Sequence, residues 1–175
     1  MRIRTAAAST LTAAALGIGL TAAPAEAAFR TNIEIDLADG FCLDVPNSNF
    51  SNGVTVQEWT CNHTNAQKWN LVYQGSHYFQ IQSAAAPSLC LNNWSSGGAK
   101  GDYIKLYSCS SGDSLFNEVG PEGGWNNYFE FQPKNASANC VTAWGGSAQG
   151  NQMRLDSCSR NWNNLFDLFD LVYSD

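Results

Sequence analysis

Charge is scarce in this 175-residue sequence: Asp, Glu, Lys and Arg together make up 14% of it, about half the ~25% of an ordinary globular chain. The 9 Lys+Arg are outnumbered by 15 Asp+Glu, for a net charge of −6. With no basic stripe to follow a phosphate backbone, nucleic acid is excluded as a partner. Histidine is nearly absent, with His63 and His77 alone, and the cysteines are too widely spaced for a zinc centre, so neither a metal nor a cofactor is expected. No Ser/His/Asp order points to nucleophilic catalysis. No segment carries a helical apolar stripe of useful length, and the glycines and prolines follow no collagen-like period. What the sequence does hold is amide and ring: 18 Asn, 6 Trp, 9 Phe and 6 Tyr, in a chain that is 44% hydrophobic. That apolar content is too high for a disordered chain and suits one domain with its own core.

The first 27 residues read as an address. Arg2 and Arg4 supply a positive start, an uncharged Ala/Thr/Leu/Gly run follows, and Ala25-Glu26-Ala27 is a small-x-small cleavage pattern. A retained membrane anchor would be richer in Leu, Ile and Phe. The expectation is a signal peptide over 1–27, cleavage before Ala28 and an exported, extracellular product, without membrane insertion after cleavage. Loss of Arg2, Arg4 and Glu26 leaves 7 basic and 14 acidic residues.

All six cysteines lie beyond that cut. Cys42 to Cys61 and Cys90 to Cys109 are each 19 residues apart, and Cys140 to Cys158 is 18. An even count in an exported chain reads as disulfides, and the recurring spacing predicts one bridge inside each of three repeats: 42–61, 90–109 and 140–158. Other features recur with the cysteines. Alternating apolar and polar residues precede each first cysteine, in Ile33-Glu34-Ile35-Asp36-Leu37, Phe79-Gln80-Ile81-Gln82 and Phe129-Glu130-Phe131-Gln132. Counting back nine residues from the cysteine aligns Ile33 with Ile81 and Phe131. A glycine (Gly53, Gly101, Gly150) stands eight residues before each second cysteine, and an apolar residue (Val56, Ile104, Met153) five before it. This is an all-β chain built three times from one unit of about 45–50 residues. One unit cannot bury its own apolar face, so the three must close on a common core.

The first unit contains Cys42-Leu43-Asp44-Val45, Gln57-Glu58-Trp59-Thr60-Cys61 and Ala66-Gln67-Lys68-Trp69. A Cys-x-Asp start and a Gln-x-Trp close within triplicated repeats resemble the ricin B-type lectins, the family-13 carbohydrate-binding modules. The resemblance runs over about 31–175. It implies a β-trefoil over 28–175 with lobes at about 31–76, 77–126 and 127–175. It also implies glycans or polysaccharides as partners, and a monomer is expected. Asp44 then accepts bonds from sugar hydroxyls, Trp59 offers its ring to the apolar face of a pyranose, and Gln57 and Gln67 assist. Ala66 departs from the family, which often has Asn there.

The second lobe is further from the pattern, with Asn92, Lys105 and Tyr107 where Asp44, Gln57 and Trp59 stand; it is a possible second sugar site. In the third, Thr142, Arg154 and Asp156 hold those places and the site looks lost. Its closing motif has two possible registers, Asn164-Leu165-Phe166 by cysteine spacing or one that places Phe169 opposite Trp69. Trp69, Phe116 and the Phe166/Phe169 pair read as core. Asp44 alternatively reads as a turn former, Gln67 as a backbone tie, and Trp94 and Trp144 as displaced platforms or, preferably, lids over the core.

The leading reading is a secreted, non-catalytic carbohydrate-binding protein working mainly through its first lobe. A protein-interaction or protease-inhibitor trefoil that has lost sugar binding is the alternative. A small glycosidase using Asp44 and Glu58 is a third reading, and a weaker one, because the two carboxylates flank a lectin-type site.

Overall fold

The computed structural model describes residues 28–95, 97–120, 128–136 and 138–169; the expected signal peptide lies outside these. The described residues form twelve strands. The first lobe holds β1 (Ala28–Leu37), β2 (Phe41–Asp44), β3 (Gln57–Thr60) and β4 (Trp69–Tyr73). The second holds β5 (Phe79–Ser83), β6 (Leu89–Asn93), β7 (Ile104–Ser108) and β8 (Phe116–Val119). The third holds β9 (Glu130–Pro133), β10 (Asn139–Ala143), β11 (Met153–Ser157) and β12 (Phe166–Phe169).

Six of these strands close a ring. β1 pairs with β4, β4 with β5, β5 with β8 and β8 with β9; a Phe129–Phe166 bridge joins β9 to β12, and β12 returns to β1. Closure leaves the barrel without an open edge strand. The remaining strands form three hairpins, β2–β3, β6–β7 and β10–β11, with the pairs Asp44–Gln57, Asn92–Lys105 and Thr142–Arg154 in equivalent register. The hairpins bind one another cyclically, through Gly53 N–H to Leu106 C=O, Gly101 N–H to Leu155 C=O and Gly150 N–H to Glu58 C=O. Three lobes of four strands around a pseudo-threefold axis are a β-trefoil.

The core repeats with the same symmetry. Trp69, Phe116 and Phe166 are fully buried, as are Ile35, Ile81 and Phe131, then Leu43, Leu91 and Val141, then Val56, Ile104 and Met153. Trp69 also donates its indole N–H to Leu43 C=O at 3.1 Å, so its one polar atom is satisfied inside. The three disulfides are 42–61, 90–109 and 140–158, with Cα–Cα distances of 5.0, 4.9 and 4.9 Å.

Two registers differ from, or resolve, the sequence reading. Ile33 pairs with Trp69 as Phe79 pairs with Phe116 and Phe129 with Phe166, so Ile33 is equivalent to Phe79 and Phe129, and it is Ile35 that matches Ile81 and Phe131. The β1–β2 turn is two residues shorter than its counterparts: Asp36 faces Cys42 where Gln82 faces Cys90. Counting back from the cysteine therefore slips by one side-chain pair in the first lobe. In the third lobe, Asn164 is buried and donates to Ser157 C=O, the residue before Cys158. Gln67 does the same to Thr60 and Ser114 to Ser108. The closing motif is Asn164-Leu165-Phe166, and the cysteine spacing picks the right register there.

Candidate functional site

The first-lobe hairpin opens onto a cleft of about 430 Å³ lined by Asp44, Pro46, Gln57, Trp59, Asn62 and Thr64, among others. Asp44 ends β2 and Gln57 begins β3, so the hairpin register sets them side by side, and Gln57 Nε2 donates to Asp44 Oδ1 at 2.8 Å. Alternation along β3 turns Glu58 inward and leaves Gln57 and Trp59 half-buried on the cleft side. Asp44 is only 4% exposed. Burial pushes its carboxyl above the ordinary range, and hydrogen bonds from Gln57 and Gln67 oppose that shift. The result is a desolvated carboxylate, held in place by amides, beside an indole.

Gln67 is fully buried and does not line the cleft. Its Oε1 accepts Asn62 N–H at 2.8 Å and its Nε2 donates to Thr60 C=O at 3.0 Å, so it ties the 60–67 loop and backs Asp44. Sequence reasoning did not pick out Asn47, Ser48, Asn62 and Thr64, which complete the wall. The readable signal was the Asx turn at Asn62, whose Oδ1 accepts from Thr64 N–H and Oγ1–H. Asn47 and Ser48 adopt φ of 54° and 52° in the turn at Pro46–Ser48, a region where Asn is favoured. Ala66 is buried, and its carbonyl accepts Val45 N–H.

A smaller cleft of about 260 Å³ occupies the equivalent place in the second lobe, lined by Asn92, Trp94, Tyr107, Ser111 and Asp113. Asn92 is buried and its Nδ2 donates to Ser111 and Ser114 hydroxyls, which commits its amide hydrogens and leaves its oxygen as an acceptor. Trp94 and Tyr107 are 41% and 39% exposed and meet at 87° with centroids 5.6 Å apart. Trp94 is thus a wall of the cleft; the preference for a lid over the core is corrected. Lys105 is not among the residues lining that cleft. It lies over Trp94, its Nζ 4.4 Å from the ring centroid, and 5.3 Å from that of Tyr103.

In the third lobe Thr142 Oγ1 is bonded to Cys140 C=O. Arg154 stacks on Tyr103 at 4.0 Å and on Trp144 at 5.3 Å, and Asp156 pairs with Lys100 at 2.6 Å. Its side chains at the three site positions are committed to internal partners. Elsewhere, buried Glu34 binds both His63 and Lys68, at 2.8 and 2.9 Å. His63 is therefore a surface residue with an anchored ring. The two clusters of sulfur with carboxylate, at Asp36 and at Glu130, hold their sulfur in disulfides and offer no thiolate to a metal.

Removing the Gln57 amide tests how far that side chain orients Asp44. Gln57→Ala is expected to weaken saccharide binding about fivefold, the value of one ordinary hydrogen bond, as read by titration calorimetry.

Comparison with known proteins gives the same architecture. The family described as ricin-type beta-trefoil lectin domain-like matches residues 32–107. A ribosome-inactivating protein of Polygonatum multiflorum, PMRIPt, is 33% identical over 73 residues, which is 42% of this chain and only 11% of that protein. Among solved structures, the designed threefold-symmetric protein ThreeFoil superposes with a TM-score of 0.73 at 18% identity, covering 79% of this chain and 98% of that one. The Rhizoctonia solani agglutinin does so with a TM-score of 0.66 at 13% identity, covering 83% and 99%.

Proposed function

We propose that this β-trefoil, which the ricin-type lectin family matches over residues 32–107, is a secreted, non-catalytic carbohydrate-binding protein whose principal site is the first-lobe cleft. The observation that carries this reading is the Asp44–Gln57 pair beside Trp59 at one concave surface. A pyranose has an apolar C–H face and a rim of hydroxyls. Trp59 offers the flat apolar partner for the face, and Asp44 accepts from two neighbouring hydroxyls through charge-assisted bonds, which are about twice as strong as neutral ones. Gln57 fixes one carboxylate oxygen in direction, so little freedom is lost when sugar arrives. The second-lobe cleft, with Asn92 and Tyr107, supplies a weaker neutral site that adds avidity on a polymeric glycan. Extracellular location rests on the cleavage pattern and the three disulfides.

Because Asp44 must be ionised to accept from two hydroxyls and its carboxyl is shifted upward, binding is expected to weaken on acidification at a pH above the usual carboxylate range. A titration series in pH checks it, and affinity unchanged through that range contradicts the role given to Asp44.

The class of ligand is read directly with an array of glycans and plant and microbial polysaccharides, probed with oxidised protein beginning at Ala28. Retention on a defined group of saccharides is expected. A folded protein silent on every feature overturns the reading and moves weight to a protein-interaction trefoil.

A further inference from the structure

In each lobe of this trefoil an indole lies over a glycine of a neighbouring lobe. A Cβ built on Gly53 would stand 3.5 Å from Trp94 Cη2, one on Gly101 3.7 Å from Trp144 Cη2, and one on Gly150 3.5 Å from Trp59 Cζ3. These glycines are symmetry-equivalent, with φ of +87°, +92° and +88°. The tryptophans are not. Trp94 and Trp144 follow their first cysteine by four residues, and their N–H groups bind Tyr103 and Gln152 carbonyls. The first lobe has Pro46 at that place, with no N–H to give and a ring too small to reach across. Trp59, two residues before its own second cysteine, covers the glycine instead.

From this we infer that residues 148–151 of the third lobe are part of the first-lobe site, with Gly150 as a positioning residue that sets the Trp59 ring against the cleft. The inference rests on the sugar-binding reading above only for what the ring does; its position is a separate matter. The strand that carries Trp59 is stitched to this loop on both sides of the ring. Gly150 N–H donates to Glu58 C=O and Glu58 N–H to Asn151 C=O, both at 2.9 Å. Ala148 N–H donates to the buried Glu58 Oε1 at 2.8 Å, and Thr60 Oγ1–H donates to Gln149 Oε1 at 2.7 Å. Equivalent loops in the other two lobes face Leu106 and Leu155 where this one faces Glu58, so the carboxylate tie to the loop belongs to the first-lobe site. The third lobe, whose own three site positions are committed to internal contacts, backs the Trp59 ring of the first.

The test uses Gly150→Asn with Gly101→Asn as its matched control. Asn tolerates positive φ better than other non-glycine side chains, and φ is nearly the same at the two positions, so the backbone cost is matched, while the atoms beyond Cβ push on the ring above. The first readout needs no ligand: the indole N–H resonance of Trp59, assigned from its absence in Trp59→Phe. Gly150→Asn is expected to shift it and Gly101→Asn to leave it in place. The second readout is retention on the polysaccharide array, expected to fall about fivefold in Gly150→Asn, the value of a disturbed aromatic contact, and to stay within about twofold in the control. Should Gly150→Asn fail to fold, Gly150→Ala, which adds only a Cβ 3.5 Å from the ring, is read the same way beside Gly101→Ala, which carries the same positive-φ cost. A Trp59 resonance and retention both unchanged by the Gly150 variants overturn the inference even when Trp59→Phe abolishes retention. A shifted resonance in a protein that binds nothing on the array leaves the positioning role standing and sinks the sugar-binding reading instead.

Discussion

Asp44→Asn is expected to make the protein more stable at neutral pH and a poorer binder. The substitution keeps the side-chain shape, the second lobe already carries Asn at this position, and Asn92 is buried there without disturbing the hairpin. In the folded protein Asp44 is 4% exposed and its pKa is raised by burial. Folding thus disfavours the ionised form, and a neutral amide is relieved of that penalty. Binding should move the other way. Replacing a carboxylate acceptor by an amide loses charge-assisted bonds of roughly 1.5–3 kcal/mol, about tenfold to a hundredfold in affinity. Thermal unfolding and calorimetric titration of one sample give both numbers. A turn-forming Asp44 predicts a different pair of results, the same relief of burial in stability but unchanged affinity, because Asn makes the same turn.

Glu58 gives the second large effect. It is fully buried at a place where the other lobes have Leu106 and Leu155. Burial is the main cause that pushes its carboxyl up to about 7, with the Asp39 carboxyl adding to the shift and Ala148 N–H opposing it. Between the ordinary glutamic acid range and pH 7, the folded chain holds a proton that the unfolded chain has released. Stability from this group is therefore complete below about pH 4.5 and is lost as pH rises through 7. Asp36, raised to about 6 by burial and then by Glu34 and Asp167, works with the same sign in a lower window. Wild-type protein should be more stable at pH 5 than at pH 8. Glu58→Gln keeps an acceptor for Ala148 N–H without the charge and should raise stability at pH 8 by about 2 kcal/mol, while matching wild type near pH 4.5. Denaturant unfolding at the two pH values decides it; a wild-type and variant difference that is the same at both pH values contradicts the assignment.

The three bridges, the triplication and the aromatic core were legible because each depends on residues whose spacing repeats within a lobe. Where turn lengths differ, the same counting misleads, as with Ile33, whose β1–β2 turn is two residues short. The third-lobe register was decided by one buried amide, Asn164, doing for Ser157 what Gln67 does for Thr60; side-chain identity concealed a shared hydrogen bond. Trp94 was misread because alternation along a strand says nothing of a residue in the turn after it. The Trp59–Gly150 contact and the Glu58 tie to Ala148 were out of reach, since they join lobes across about 90 positions in sequence and Trp59 and Glu58 are replaced by other residue types at the equivalent positions of the other lobes. Gln57 and Gln67 looked alike in sequence, yet one lines the cleft and the other is buried behind it.

The central claim is that the first-lobe cleft binds saccharide, and the most direct measurement is retention of Trp59→Ala and Tyr107→Ala beside wild type on the same polysaccharide array. Both rings are partly exposed, at equivalent positions in β3 and β7, so their removal perturbs the fold to a similar and small degree. The account predicts that Trp59→Ala loses at least about tenfold in retention, the value of a stacked ring and the cleft wall it forms. Tyr107→Ala should lose no more than the avidity of a weaker second site. Retention that survives Trp59→Ala and disappears with Tyr107→Ala would contradict the account and place the principal site in the second lobe.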